Sequence, residues 1–304
     1  MEEMGITPLR PSPPRPADSD PQFIALWLGR QRSPHTRRSY RRDLTEFLTF
    51  CDGRALGEIR MSDLQAFAES LGAQTANGYE SKDGREASTH GRILATVKSL
   101  LSFAHKTGYT PFNVGQAVQI PKPPGTLNER ILSEAEVLGM IHGEPGKRNR
   151  ALLLFLYVSG ARVSEIVGLE WRHAKPREDG CAHVTLYGKG QQTRVVIIPA
   201  SAWRALEALR NGAEANAPVF RSRKEAKRLT ATAIWRVVKK AASRAGIEGD
   251  VSPHWLRHAN ASHALQRGCS IETVRQTLGH SNLATTSTYV HAKPEDSSGL
   301  HLPV

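Results

Sequence analysis

The most informative segment of the chain reads Ser252-Pro253-His254-Trp255-Leu256-Arg257-His258. Serine followed by proline is typical of a helix N-cap and the first helical position. A helix starting there would carry His254 in its first turn and Arg257 one turn later, on nearly the same face. The free backbone N–H groups of a helix start attract phosphate. The segment therefore predicts a helix that presents imidazole, guanidinium and N–H groups to an anion.

A second arginine, Arg162, stands in the segment Ser159-Gly160-Ala161-Arg162-Val163-Ser164-Glu165. Arginine offers a planar, permanently charged fork that can hold two non-bridging phosphate oxygens. Arg162 and Arg257 together could clamp a phosphodiester while its charge rises at the pentacoordinate stage. Because two arginines on one phosphate also supply the charge that a metal often brings to phosphoryl transfer, we predict neither a metal nor a cofactor.

A nucleophile and its helpers follow from the same region. Tyr289 comes after Leu278-Gly279-His280. A phenol with an ordinary pKa of about 10 attacks poorly at neutral pH, so it needs neighbouring cations and a base, for which His254 and His280 are the candidates. Lys189, between two glycines at a hairpin tip, could protonate a departing deoxyribose oxygen. The sequence thus predicts a site that binds a phosphodiester and attacks it.

A zinc helix is the competing interpretation, because His254 and His258 have i, i+4 spacing. Trp255 stands where a zinc protease has its glutamate, and Arg257 between the two ligands would repel a dication. The three cysteines are widely spaced and form no CxxC pair, which gives no sign of a thiolate site. The pattern therefore disfavours a metal.

Composition points to a polyanionic partner. The chain has 304 residues and 41 Lys+Arg against 29 Asp+Glu, a net charge of 41 − 29 = +12. Such a charge favours nucleic acid or an anionic membrane surface. We see no apolar run of the roughly 18 residues that would suggest a spanning helix, and no apolar signal at the N-terminus. We expect a cytoplasmic protein.

Proline-rich segments divide the chain. Residues 1–20 have no hydrophobic period and are predicted to be a disordered tail. The segment 121–130, which contains Pro121-Lys122-Pro123-Pro124, cannot continue a helix and is predicted to be a linker. Two domains, 21–120 and 131–304, lie on either side of it.

The N-terminal domain is predicted to be all-helical. One helix should follow the Ser33-Pro34 cap, and two more should follow caps at Ser62 and Ser88. Arginines at i, i+4 repel each other on the first helix, so we expect an anion to relieve them. Six side chains are predicted to meet DNA phosphates: Arg37, Arg38, Arg41, Arg42, Arg92 and Lys98.

The second domain is predicted to be mainly α with a small β element. It should open with a capping box, Ser133 with Glu136. Strands at 182–187 and 194–199 flank a glycine-rich hairpin tip. Helical periods cover about 148–158 and 162–169 and resume near 201, 230, 253 and 271.

These motifs resemble the tyrosine site-specific recombinases, the phage-integrase-like family, and most of all its compact Xer-type members. The Arg162 segment resembles the family's first box, the segment 254–258 its H-x-x-R-H box, and Leu278-Gly279-His280 with Tyr289 its last box. Residues 33–50 resemble its N-terminal, SAM-like core-binding domain. The resemblance implies a helical core-binding domain joined to the tyrosine recombinase catalytic fold.

The resemblance also implies roles. Arg162 and Arg257 would clamp the phosphate, Lys189 would be the general acid, and His254 an acid/base. His280 would donate a hydrogen bond in the transition state, and Tyr289 would be the nucleophile. Glu165 would support the site, and His258 would help structure more than chemistry. The implied reaction joins Tyr289 to a 3′-phosphate, frees a 5′-hydroxyl and proceeds through a Holliday junction without metal or ATP.

The implied partner is double-stranded DNA, bound by a tetramer of this chain, which a related recombinase or an accessory protein could join. Two alternatives stay open: a type IB topoisomerase that relaxes DNA with the same chemistry, and a DNA-binding regulator that has lost turnover. Chromosome dimer resolution, mobile-element integration or excision, and plasmid resolution would all use the same site.

Overall fold

In the computed structural model, the chain splits into two compact units, Met1–Gly125 and Thr126–Val304. The structure describes residues 17–76, 85–119, 131–188, 192–222, 227–280, 282–287 and 289. The predicted linker and Lys189 lie outside these ranges, and the domain boundaries stay predictions. None of the helices in the described ranges is long and apolar enough to cross a membrane.

The first unit is a small helical bundle. Helix α2 begins at Pro34 after Ser33, as predicted. The other two predicted caps are wrong, because the helices begin ahead of Ser62 and Ser88. At the first of them the carboxylate of Asp63 accepts the N–H of Arg60 at 2.8 Å. The helices are α1 (Asp20–Gly29), α2 (Pro34–Phe50), α3 (Met61–Ala76) and α4 (Arg85–Lys106).

Helix α1 is not predicted by the sequence pattern, yet it is well attached to the bundle. Its first residue, Asp20, accepts the backbone N–H of Leu56 at 2.6 Å and the hydroxyl of Tyr109 at 2.6 Å. Phe23 and Trp27 are buried on the same helix. Residues 1–16 of the predicted tail lie outside the described residues, whereas Asp20 belongs to the fold.

The second unit is mainly α with one small sheet, so the predicted fold class is confirmed. The capping box is present, since Ser133 Oγ accepts the N–H of Glu136, whose carboxylate accepts the N–H of Ser133. Its helices are α5 (Glu134–His142), α6 (Lys147–Ser159), α7 (Val163–Val167), α8 (Ala200–Glu207), α9 (Ala231–Arg244), α10 (Pro253–Gln266), α11 (Ile271–Leu278) and α12 (Leu283–Ser287).

The sheet is antiparallel, with strands β1 (Ala174–Pro176), β2 (Ala182–Tyr187) and β3 (Thr193–Ile198) in that order. The predicted hairpin of β2 and β3 is therefore present. A short third strand, β1, pairs with β2 and was not predicted. Val184 pairs with Val196, and both are buried. One face of β3 thus packs on the core and continues towards the site.

Candidate active site

Arg162 is oriented by a tight turn between two helices. Helix α6 ends at Gly160, whose φ of 56° is left-handed. A Cβ there would lie 2.6 Å from the Leu278 side chain, so both the conformation and the packing require glycine. Arg162 then caps α7, and its backbone N–H donates to Glu165 Oε2 at 2.7 Å. The turn therefore fixes Arg162 beside the end of α11.

Three arginines, which we call the arginine cluster, bind three successive carbonyls at the C-terminal end of α11. Arg194 Nε donates to the Thr277 carbonyl at 2.6 Å. Arg257 Nη2 donates to the Leu278 carbonyl at 2.7 Å. Arg162 Nη2 donates to the Gly279 carbonyl at 3.3 Å. The last carbonyls of a helix lack intrahelical partners and carry its negative end, so this helix end stabilises the three cations.

Glu165 binds two arginines of the cluster, and its side chain is fully buried. Arg194 donates to its two carboxylate oxygens at 2.6 and 2.8 Å, and Arg162 Nη1 donates at 3.2 Å. Burial raises the pKa of Glu165, but the bonds from Arg194 and Arg162 outweigh it, and the pKa lies below its ordinary value. Three guanidinium groups against one carboxylate leave a net positive site suited to a phosphodiester.

Arg194 is the cluster member that the sequence analysis missed. It lies on β3, where residues alternate between the two faces, and its side chain is only 11% exposed. Because the strand has a period of two, Arg194 shares the inward face with Val196 and Ile198. A charged residue on the buried face of a predicted strand was the signal available in the sequence.

Arg257 is the most buried of the three, at 3% exposure. Its second guanidinium nitrogen, Nη1, donates to the carbonyl of Gly160. Burial, and then repulsion from Arg162 and Arg194, lowers the pKa of Arg257 to about 9. The side chain therefore keeps its charge at neutral pH.

His254 and His258 lie one turn apart on α10, which begins at Pro253 as predicted. Their ring centroids are 6.1 Å apart. The His254 side chain reaches solvent, yet its pKa is lowered, first by the surrounding protein and then by Arg257 and Arg162. It is therefore a neutral imidazole at the edge of the site.

Tyr289 lies within this site but is 6% exposed. Its hydroxyl is 2.8 Å from Nδ1 of His258. Burial raises the pKa of Tyr289, although the charge of Arg257 opposes the shift. The expected bases were His254 and His280, whereas the ring that touches the hydroxyl here belongs to His258, one turn after His254 on α10.

His280 follows the left-handed Gly279 and stands between the arginine cluster and Tyr289. Its Nδ1 is 2.9 Å from Thr286 Oγ1, and its ring centroid is 6.4 Å from that of Tyr289. Burial, and then four arginines led by Arg257, lowers the pKa of His280 to about 4. An open cavity of about 270 Å³ is lined by Arg162, Gln192, Thr193, Arg194, Arg275, Gly279 and His280.

Lys189 falls outside the described residues, but its neighbour Gly188 is described. The N–H of Gly188 donates to the carbonyl of Gln192 at 2.7 Å, which closes the base of the hairpin. A Cβ on Gly188 would lie 3.1 Å from Glu165 Oε1. The hairpin base therefore lies directly on the carboxylate that holds the arginine cluster.

The six basic residues predicted to meet DNA lie in the first unit. Arg92 donates to Ser39 Oγ at 3.0 Å and also to the buried Asp43, and Lys98 donates to the carbonyl of Val118. These two side chains are half-buried and engaged within the unit. Arg37 on α2 also donates, to the carbonyl of Gln31 at 2.6 Å, but the α2 arginines face solvent and are the better candidates for phosphate contacts. Those four are exposed: Arg37, Arg38, Arg41 and Arg42.

No group of three or more His, Cys, Asp or Glu side chains within the described ranges could hold a metal ion. His254 and His258 have the spacing of a zinc helix, but Nδ1 of His258 contacts the hydroxyl of Tyr289.

Comparison with known proteins identifies the family and the fold of this chain. Residues 129–296 match the model of the phage integrase family, and residues 22–108 match the phage integrase N-terminal SAM-like domain. Tyrosine recombinase XerD of Mycobacterium tuberculosis is 32% identical over 302 residues, covering 91% of this chain and 94% of that protein. Tyrosine recombinase XerC of Xylella fastidiosa is 32% identical, covering 88% and 90%.

Among solved structures, a lambda integrase tetramer bound to a Holliday junction has the same fold. The TM-score is 0.71 at 15% sequence identity, with 91% of this chain and 77% of that chain covered. The family match spans more than half of the sequence, and the relatives match it nearly end to end. The chain therefore belongs to the phage integrase family and is a tyrosine recombinase.

Proposed function

We propose that this chain is a site-specific DNA recombinase that cuts and rejoins duplex DNA through a 3′-phosphotyrosyl link on Tyr289. The observation that carries the proposal is the arginine cluster, bound to the end of α11 just before the segment that supplies His280 and Tyr289. The end of α11 thus places the arginines that would hold the phosphate close to Tyr289, which would attack it.

The proposed step is an in-line displacement at phosphorus. The Tyr289 oxygen forms the new O–P bond while the bond from phosphorus to the 5′-oxygen breaks. The phenolic proton passes to an imidazole, His254 or His258, and Lys189 protonates the departing 5′-oxygen. Arg162 and Arg257 stabilise the charge that builds on the non-bridging oxygens.

The energy of the broken phosphodiester is kept in the phosphotyrosyl link. A free 5′-hydroxyl from a second duplex can therefore attack that link and release Tyr289, so no ATP is consumed. The arginine cluster supplies the positive charge at the phosphate, and for this reason we propose that cleavage proceeds in the presence of EDTA.

The proposed partner is a specific duplex site, gripped by both units. The exposed arginines of α2 would contact backbone phosphates, which gives affinity and register but little sequence information. Two exchanged duplexes need four tyrosines, so we propose a tetramer of this chain on a Holliday junction. We place its action on DNA in the cytoplasm, at the nucleoid.

Covalent capture tests the proposal. The protein is incubated in EDTA with nicked duplexes whose short 5′ fragment diffuses away after cleavage, and the SDS-resistant adduct is measured. We expect an adduct on one preferred sequence with the wild type and none with Tyr289→Phe, whose DNA affinity should be nearly unchanged. Tyr157→Phe is the matched control, because the Tyr157 hydroxyl also lies 3.0 Å from a histidine Nδ1, that of His263.

Each outcome separates the candidates. An adduct that persists in Tyr289→Phe would remove Tyr289 as the nucleophile. Adducts spread over all sequences would favour a DNA-relaxing enzyme of the type IB topoisomerase kind. No adduct on any duplex, from protein that binds DNA, would favour a regulator without turnover.

A further inference from the structure

Thr286 contacts both the histidine and the tyrosine of the site. It lies on α12 and its side chain is fully buried, at 0% exposure. Its Oγ1 is 2.9 Å from Nδ1 of His280. Its backbone carbonyl accepts the N–H of Tyr289 at 3.1 Å. A buried hydroxyl beside an imidazole can decide which ring nitrogen carries the proton.

His280 is a neutral imidazole at physiological pH, because burial and the nearby arginines lower its pKa to about 4. A neutral imidazole has one N–H and one bare nitrogen, and the partner of one nitrogen fixes the state of the other. Nδ1 faces Thr286, so Nε2 is the nitrogen left to meet a phosphate in the cavity that His280 lines.

A phosphate oxygen can only accept a hydrogen bond. If Nδ1 carried the proton and donated it to Thr286, Nε2 would turn a lone pair towards the phosphate and repel it. If Thr286 donates its hydroxyl proton to Nδ1, Nε2 must carry the ring proton and can donate it. Only the second arrangement stabilises a pentacoordinate phosphate.

We propose that Thr286 is a positioning residue that selects the Nε2–H form of His280 by donating its hydroxyl proton to Nδ1. The inference rests on the proposed function, in which His280 donates to the phosphate. Thr286 itself does not touch the DNA. It sets the direction in which His280 can act and, through its carbonyl, holds the turn that carries Tyr289.

Replacing the hydroxyl by a methyl group tests the chemistry at nearly constant volume. Thr286→Val leaves buried Nδ1 without this donor, and we expect cleavage in single-turnover covalent capture to slow about 10- to 100-fold, the range for one lost buried hydrogen bond. DNA affinity should stay the same. Thr286→Ser restores the hydroxyl and should recover most of the rate.

Thr285→Val is the matched control, since Thr285 is the adjacent residue of α12 but is exposed. We expect it to cleave at the wild-type rate. Equal rates for Thr286→Val and wild type would overturn the inference, and so would a slow Thr286→Ser variant, because packing alone would then explain the loss.

The tautomer itself can be read without DNA. In protein with ¹⁵N-labelled histidine, two-bond ¹H–¹⁵N correlations distinguish a protonated from a bare ring nitrogen, and His280→Gln assigns the resonance. We expect a protonated Nε2 and a bare Nδ1 in the wild type. A protonated Nδ1 would overturn the inference even if Tyr289 forms the adduct. If no adduct forms, the recombinase proposal fails while this measurement still decides the role of Thr286 in the resting protein.

Discussion

In the described part of the second unit, two tyrosine hydroxyls each lie on a histidine Nδ1, and the two pairs differ in their surroundings. Tyr289 lies 2.8 Å from Nδ1 of His258, and Tyr157 lies 3.0 Å from Nδ1 of His263. Both histidines belong to α10. Burial raises the pKa of both tyrosines. Contact between a hydroxyl and an imidazole therefore does not by itself distinguish Tyr289, the proposed nucleophile, from Tyr157.

The charges around the pairs separate them. Arg257, in the buried cluster, opposes the rise in the pKa of Tyr289. Next to Tyr157, the carboxylate of Glu134 adds to the rise, and Arg267 opposes it. Arg267 and Glu134 bind each other at the surface at 2.7 Å. Tyr289 therefore lies near the net positive arginine cluster, which can bind a phosphate. Tyr157 lies near Arg267, whose charge is balanced by Glu134.

The largest expected effect comes from removing Arg257, and the removal of Arg267 is the matched change at the other pair. Arg257→Ala should slow covalent capture by about 100- to 1,000-fold, because a charge that stabilises the transition state is lost. Arg267→Ala should leave the rate nearly unchanged. Arg257→Lys keeps the charge without the two-pronged geometry and should fall between. A normal rate in folded Arg257→Ala would place the clamp elsewhere.

A smaller effect is expected from breaking the ion pair of Arg194 with Glu165, for which the pair of Arg267 with Glu134 is the control. Arg194→Ala leaves the fully buried Glu165 without its two-bond partner and should lower the free energy of unfolding by about 3 kcal/mol. The same change should slow cleavage about 100-fold by shifting Arg162. Urea unfolding and covalent capture measure the two losses. Arg267→Ala removes an equivalent but exposed pair, so a similar loss there would contradict the distinction.

The smallest expected effect is on the free energy of unfolding at acidic pH. His280 has a pKa of about 4 in the folded protein, against an ordinary value of 6.5. Between these values the unfolded chain binds more protons, so the free energy of unfolding falls as the pH drops from about 6.5 to about 4. His280→Gln lacks this contribution, and its urea midpoint should fall less than that of the wild type between pH 7 and 5. Parallel curves would refute the assignment.

Local signals in the sequence were sufficient where a few adjacent residues decide the structure. Ser33 with Pro34 and Ser133 with Glu136 mark helix starts, and each rule involves one turn of chain. The same rule failed at Ser62, because α3 already begins at Met61 and the carboxylate of Asp63 accepts the N–H of Arg60 ahead of it. The family motifs identified the fold class, since their order along the chain is distinctive.

The site could be predicted only in part, because its supports come from distant segments. Glu165 meets Arg194 across 29 residues, and Arg257 meets the carbonyl of Gly160 across 97. No spacing rule connects such pairs. Thr286 is close in sequence to both His280 and Tyr289, yet it was not predicted. A threonine near a tyrosine is common, and only the structure shows that its hydroxyl contacts the His280 ring.

The carbonyls that hold the arginine cluster belong to the main chain, and this changes which mutations the site can tolerate. Replacing the side chain of Thr277, which is half-buried, leaves its carbonyl oxygen in place. Deleting one residue from α11 would instead rotate every following carbonyl by about 100° around the helix axis, and all three arginines would lose their acceptors at once. The site therefore depends on the number of residues in this helix, and an exposed side chain of α11 can change without moving the carbonyls that the arginines bind.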